Sequence, residues 1–508
     1  MNKSPAIYWI KRDFRLQDNP ALVQALANHS IVTPLFILEP SFLTAPETSA
    51  FHVHAVTQAV NDLKKNIESQ GGQLAIAQEE VIVTLEKLHK IHAFSTLYSH
   101  EEIGINRTYQ RDIAVGIWCK QKGITWVELP QTGVFRRLPN REVRRKLWAA
   151  FNFDTILPAP ITKDLQRLQI PSAWQSLVWQ KPTLELSDTD FSLSKAQQEN
   201  VQAVSETAAK ETLQSFLYER GVAYRGGISS PLTAFTAGSR LSVHLAWGTI
   251  TGRHVYQAVQ KRKEALKDSD QPDAGKWRGS LTSFLSRLHW RDHFIQRLES
   301  EPQMEFHALN PAYEALEYDN NPSYLAAWIA GKTGFPIADA CIRCLQTTGF
   351  VNFRMRAMLT SLACHTLQLD WKLIDHPMAK LYTDYEPGIH LSQLQMQASV
   401  VGINTIRVYS PNKQIIDQDP DTIFIKKWIP ELRNFTAQEI TDHRDNPLGD
   451  YPAQLVDWWP ASKIMKEKLW TIRKLAETKE LSKAVYDKHG SRKKPAKKKK
   501  KKKVDEKT

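Results

Sequence analysis

Long apolar runs are missing from this chain. Nowhere in its 508 residues do about 18 uncharged apolar residues follow one another, which excludes a membrane-spanning helix. Cysteine is scarce too. Cys119, Cys341, Cys344 and Cys364 are too few for a disulfide framework and suit a reducing compartment. The opening MNKSPAIYWIKRDFRL meets charge too early for a secretory segment, so the expected location is cytoplasmic, or nuclear in a eukaryotic host. No G-x-G-x-x-G follows the first strand candidate, which leaves an ordinary dinucleotide-binding reading without support.

A globally basic body is also lacking. Ten of the charges behind the formal +13 are Arg492, Lys493, Lys494 and Lys497 through Lys503, and without them the chain carries +3. A nucleic-acid surface on the body must then be a local patch. The basic run itself, in a core-free segment, is expected to be disordered and to bind nucleic acid loosely through counterion release, or to act only as a solubilising tail.

What is present is ordinary globular material, 42% hydrophobic and 24% charged. At ~100–200 residues per domain, roughly two to four domains are expected. The first 130 residues alternate strand and helix signals. Strands are expected at 5–11, 31–38, around QLAIAQ, at 94–100 and at 124–129, with helices from Asn19-Pro20 and over 50–69, 80–92 and 106–122. Such alternation predicts a parallel sheet with helices on both faces. Residues 133–202 read as a connector rich in Arg and Pro. From about 203 to 480 amphipathic helical patterns take over, and 481–508 reads as the tail. The fold class is therefore an α/β N-terminal domain with an all-helical C-terminal domain.

Four segments carry possible chemistry. GSRLSVHLAWGTIT (238–251) places Ser239, Arg240 and Ser242 at an expected helix start, which suits a phosphate or a structural N-cap. In HWRDHF (289–294), Trp290 and Arg291 offer a flat face and a cation for stacking a base, or a core Trp beside a solvated Arg. In 331–359, Asp339, Arg343, Arg354 and Arg356 interrupt apolar helical faces and need partners or ligands. Cys341-x-x-Cys344 falls inside an expected helix with no fourth ligand nearby and reads as buried thiols, so no metal site is expected. In LYTDYEPGIH, Asp384 and Glu386 precede the breaker Pro387-Gly388. They suit a buried pair with Arg356, a cation, acid/base work, or a solvated turn.

In this order, KRDFRLQDNPAL (11–22), GSRLS, LHWRD, GKTGFPIADACIRCLQTTG and DYEPGIH resemble the DNA photolyase and cryptochrome flavoprotein family over roughly residues 5–440. The resemblance implies an antenna domain followed by an FAD-binding helical domain. It implies flavin contacts from Tyr224, Ser239, Arg240, Leu241, Ser242, Arg291, Glu386 and His390. It also implies an Arg356–Asp384 ion pair beside the flavin ring, and a substrate cavity lined by Trp290. Departures mark a divergent branch. His390 replaces an Asn near flavin N5, Arg287 replaces a dimer-binding Glu, and Phe353 replaces an Asn. Leu394 and Met396 replace two Trp, the first of them the proximal Trp of an electron-transfer chain whose middle member matches Trp371. Trp290, Trp371 and His390 are the residues expected to carry catalysis, with Arg287 and Trp290 meeting DNA.

The implied activity is light-dependent repair of UV-induced pyrimidine dimers by electron transfer from reduced FAD. The alternative is a blue-light photoreceptor without repair turnover. An antenna pigment (folate, deazaflavin or flavin) and UV-damaged DNA, single strands included, are the implied ligands. A monomer without membrane attachment is expected.

Overall fold

The computed structural model describes residues 5–138, 140–179, 181–186 and 191–490. Strands β1 (Ala6–Ile10), β2 (Val32–Ile37), β3 (Ala75–Ala77), β4 (Thr96–His100) and β5 (Thr125–Leu129) form one sheet in the order β3-β2-β1-β4-β5. Every pairing is parallel, with Ala6 opposite Val32 on one side and Thr96 on the other. β1 to β4 are buried throughout, so β1 (AIYWI) and β2 (VTPLFI) read as nearly continuous apolar runs and not as alternation. Ala6, Tyr8 and Ile10 face one core and Ile7 and Trp9 the other, each core roofed by crossover helices. The helix Pro20–Asn28 starts as its Asn-Pro signal requires: Asn19 Oδ1 accepts from the Leu22 N–H at 3.0 Å, and Pro20 fills the first helical position.

Residues 133–202 are less of a connector than their composition suggests. Arg141–Phe153 is a helix, Leu168 forms a bridge to Val32, and Leu168, Leu184 and Trp174 sit in the cores of the α/β half. The expected tail also starts too early. Residues 481–489 complete the helix Ala476–His489, pinned where Asn310 Nδ2 donates to Ser482 Oγ at 3.0 Å and where His489 Nε2 meets Glu301 at 2.9 Å. The lysine run lies outside the described residues.

The C-terminal half is helical as expected. Its core gathers around the helices Pro336–Thr348, Phe353–Ser361, Trp371–Leu381, Pro387–Gln397 and Trp458–Lys474. All four cysteines are free and buried, and burial pushes the Cys344 thiol up to about 12. The helix Pro387–Gln397 crosses the long helix Ala274–Ser300 at Gly388, where a Cβ would stand 2.5 Å from the Ile295 Cα. Among the described residues no helix is long and apolar enough to cross a membrane.

The segment 11–18 joins the halves. Arg12 donates to the Tyr385 carbonyl at 2.8 Å, Arg15 to the Gly248 carbonyl at 3.0 Å, and Thr251 Oγ1 to Asp18 at 2.5 Å, while Arg253 pairs with Asp18. Gly248 has φ +67°, and a Cβ there would lie 1.9 Å from the Arg12 carbonyl oxygen, so both the turn and the contact demand glycine. His52 adds a further staple, its Nε2 lying 2.8 Å from the Tyr382 carbonyl. Burial pushes His52 down to about 4, so at neutral pH it is uncharged and donates through Nε2–H.

Candidate functional site

The site is built where the helix Phe353–Ser361 faces the turn between Trp371–Leu381 and Pro387–Gln397. Arg356 projects from the helix and Asp384 from the turn. Their contact is bidentate, Arg356 Nη1 to Asp384 Oδ1 at 2.9 Å and Nη2 to Oδ2 at 3.1 Å. Arg356 Nε also donates to the Val351 carbonyl at 2.9 Å, and its guanidinium lies 4.1 Å from the Tyr382 ring centre. Burial alone would raise the Asp384 carboxyl. Arg356, a hydrogen bond from Ser242, and Arg240 outweigh it and hold the group below the usual carboxylate range.

Arg240 is the second cation here. It adopts a left-handed backbone (φ +59°), and its guanidinium packs 3.6 Å from the Phe350 ring centre. Burial, relieved by Asp384 and deepened by Arg356, pushes it down to about 10. Its Nη1 is buried without a hydrogen-bond partner. One carboxylate, paired with Arg356 and feeling Arg240 only at longer range, thus stands against two guanidiniums, and the surplus charge calls for an anion. The expectation that Arg240 opens a helix is corrected. The helix there is only Ser242–Trp247, and the left-handed Arg240 precedes Leu241, its cap. Ser239 and the fully buried Leu241 sit in the approach loop, which Arg220 braces by donating to the Gly238 carbonyl and, at 2.7 Å, to the Ser239 carbonyl.

Glu386 points to the same neighbourhood. Its Oε2 lies 3.7 Å from Arg291 and 4.0 Å from Arg12, and its buried Oε1 has no partner. Burial raises this carboxyl, against the pull of Arg12 and Arg291. Arg291 also donates to Asp292 at 2.9 Å and to the Leu245 carbonyl at 3.1 Å. His390, buried, sets Nε2 2.8 Å from Asp375 Oδ1, with the Tyr385 ring 5.4 Å away.

Tyr224 is buried between Phe216 and Phe284. Burial pushes its hydroxyl up to about 12, although a hydrogen bond from Arg287 opposes this. Arg287, expected at DNA, is exposed and already engages the tyrosine assigned to the flavin phosphates. Trp290 is half-buried, stacked on Phe294 at 5.7 Å. Trp371 and Leu394 lie buried in the helical core. Arg343 is absorbed structurally where its Nη1 donates to both Glu431 carboxylate oxygens at 2.8 Å, and Asp339 accepts from Thr333, Gly334 and Tyr451.

Asp375, Arg12 and Arg220 were not legible as site residues. Asp375 alone left a signal, an acid on the apolar face formed with Trp371, Ile374 and Met378. Arg12 and Arg220 act on backbone carbonyls far away in sequence, which no local pattern encodes.

An α/β half joined to a helical half with unanswered guanidinium charge defines a protein built to hold an anionic group, and comparison with known proteins narrows it. Residues 284–471 match the family model described as the FAD binding domain of DNA photolyase, and residues 6–138 match that of DNA photolyase. The chain belongs to the DNA photolyase/cryptochrome family. It is 25% identical over 472 residues to a deoxyribodipyrimidine photo-lyase of Synechococcus sp., covering 89% of this chain and 94% of that protein. It is 24% identical over 494 residues to the chloroplastic/mitochondrial cryptochrome DASH of Oryza sativa subsp. japonica, covering 89% and 80%. The archaeal photolyase from Sulfolobus tokodaii, solved with two FAD molecules, superposes with a TM-score of 0.72 at 22% identity, over 92% of this chain and all of that one.

Proposed function

We propose that this protein is a light-dependent DNA repair lyase that splits UV-induced pyrimidine dimers using reduced FAD. The observation that carries the reading is the charge balance at Arg356, Asp384 and Arg240 inside a domain of the FAD-binding type. Two half-buried guanidiniums near one carboxylate leave a fixed positive field, and Phe350 and Tyr382 supply flat apolar walls. That combination fits a flavin nucleotide, whose phosphates and reduced ring are anionic. The orphaned Arg240 Nη1 and Glu386 Oε1 supply a donor and an acceptor still open to it.

When bound, the flavin would supply light absorption and the electron. The chain's residues do the rest. Arg356 and Arg240 hold negative charge in place, Asp384 fixes the guanidinium plane, and Ser242 fixes Asp384. His390, tethered to Asp375, sets an imidazole at the position expected near flavin N5. Trp290 offers an aromatic platform for a base taken out of the stack, with Arg287 on the same helix able to meet DNA phosphate. The crevice beyond the carboxyl ends of β1 and β4, where the strand order reverses, supports the reading that a second chromophore would bind there. The cavity there, about 100 Å³, is lined by Lys11, Arg111, Glu39 and Glu102, so a tricyclic pigment would have to displace the pairs of Arg111 with Glu39 and Glu102.

The test is direct. The purified protein should carry flavin absorption. After reduction, blue light should remove dimers from a damaged oligonucleotide, and comparison of single with double strands gives the substrate preference. Flavin with no dimer loss on either form would overturn repair. Flavin-dependent light-induced structural change in that case would establish the photoreceptor reading that the rice relative's name favours. Mass spectrometry of released cofactors decides the antenna pigment.

A further inference from the structure

A second basic cavity lies away from the flavin neighbourhood. It measures about 280 Å³ and opens between the start of the helix Arg141–Phe153, the last two turns of the long helix Ala274–Ser300, and the last turn of the helix Ala476–His489. Arg144 and Arg297 line it. They are 6% and 3% exposed, yet neither makes an ion pair among the described residues. Nε and Nη2 of Arg144, and Nε and Nη1 of Arg297, are buried without a hydrogen-bond partner. Four open guanidinium nitrogens at one cavity are not a packing accident. Each buried unpaired cation costs free energy until something anionic meets it.

The surroundings strengthen the charge. Arg141 and Lys488 also line the cavity, against the carboxylates Glu142 and Asp487, and Lys488 is engaged with Glu301 at 2.6 Å. Burial and the neighbouring guanidiniums push His293 in its wall down to about 2 and Arg297 down to about 10. The walls are held firm. Gln296 Oε1 accepts from the Phe135 N–H and Nε2 donates to the Phe135 carbonyl, both at 2.9 Å, clamping the chain before the cavity to the long helix. Two guanidinium forks facing a rigid space match phosphoryl oxygens, which accept paired N–H bonds. The space is several times the ~30 Å³ share of one water and sits at the lower edge of small-metabolite sites.

We propose that Arg144 and Arg297 form a binding site for the phosphoryl group of a small soluble molecule, separate from the flavin site. Titration calorimetry and thermal shift on the full-length flavin-loaded protein test it, with pyrophosphate, inorganic phosphate, AMP and citrate as probes. The expected result is saturable binding of pyrophosphate and a raised melting temperature, with citrate much weaker. Stronger AMP than pyrophosphate binding would assign a phosphorylated metabolite, and the reverse a free polyphosphate. Arg144→Gln and Arg297→Met should each weaken pyrophosphate binding about tenfold or more, with flavin absorption unchanged. Without added anions Arg297→Met should melt no lower than the wild type, because the lost charge is uncompensated there. No saturable response to any phosphoryl probe, a citrate response equal to that of pyrophosphate, or a melting temperature falling in both variants without anions would overturn the proposal. Loss of the pyrophosphate response to a short undamaged duplex at equal phosphate would reassign the site to the DNA backbone. Failure of dimer repair would leave all these readouts standing.

Discussion

Replacing Asp384 by Asn keeps the side chain's shape and removes the one negative charge between two guanidiniums. The amide oxygen can accept one Arg356 N–H, but the amide NH₂ then confronts the other as donor against donor. Removing one partner of a buried pair costs about 3–5 kcal/mol. Arg356 keeps 22% of its side chain accessible, which places the expected loss near the lower end, about 3 kcal/mol. The pH dependence has a definite sign. The folded carboxyl lies below its unfolded value, so its contribution is fully present above roughly pH 4 and disappears as the pH falls through the folded value. The gap between wild-type and variant melting temperatures should therefore be constant from pH 8 to 5 and close below 4, as read by far-ultraviolet circular dichroism. Arg356→Met is the companion, since it leaves Asp384 balanced by Arg240 and Ser242. It should cost less than Asp384→Asn. A gap worth under ~1 kcal/mol at pH 7, a gap that widens toward acid, or the opposite order of the two variants would refute the charge-surplus argument.

Gly248→Ala should destabilise by more than ~2 kcal/mol through left-handed strain and collision with the Arg12 carbonyl, and should speed proteolytic separation of the two halves. His52 lies at about 4 when folded, so its stabilisation is complete above pH 6.5 and lost as the pH falls toward 4; His52→Gln should flatten that part of the melting-temperature profile. Trp290→Ala should weaken damaged-DNA binding about tenfold, the worth of one stacked base, and leave flavin content unchanged; loss of flavin would place Trp290 elsewhere. Leu394→Trp should accelerate light-driven flavin reduction, at a packing cost of about 1–3 kcal/mol at this buried position, and an unchanged rate would mean that electrons arrive by another route.

The α/β half was legible almost residue by residue because each element there carries its own local signal. Buried parallel strands are apolar runs, and Asn19-Pro20 and Gly71-Gly72 punctuate them. The Arg356–Asp384 pair was one of several local readings of Asp384 and was singled out only by motif order, since its members stand 28 positions apart. Arg240 shows the limit. Its Ser-rich context suggested an orthodox helix start, but the left-handed turn that aims its guanidinium at Phe350 is decided by packing against residue 350 and by the Arg220 brace, both remote in sequence. Tyr224 gave no sign that Arg287 would reach it. The connector misled by composition, because prolines and arginines that suggest a linker also suit short segments wedged against a sheet, as at Leu168, which bridges Val32, and at Trp174 in the 3-10 turn Ser172–Leu177.

Charge distribution ties these observations together. A body with a net charge of only +3 outside its lysine run has little long-range field to hold anions. It therefore concentrates cations where water is scarce. Arg356 pairs with Asp384, while Arg240, Arg144 and Arg297 have no carboxylate within ion-pair distance among the described residues. A screened surface arginine contributes little, whereas a desolvated one binds strongly and costs stability when nothing answers it. By contrast, Arg253, Arg343 and Arg111 are matched by Asp18, Glu431 and Glu39 and serve to join elements. The same residue type thus divides by partner. Arg253, Arg343 and Arg111 hold elements of the fold together, whereas Arg240, Arg144 and Arg297 keep guanidinium nitrogens with no hydrogen-bond partner among the described residues.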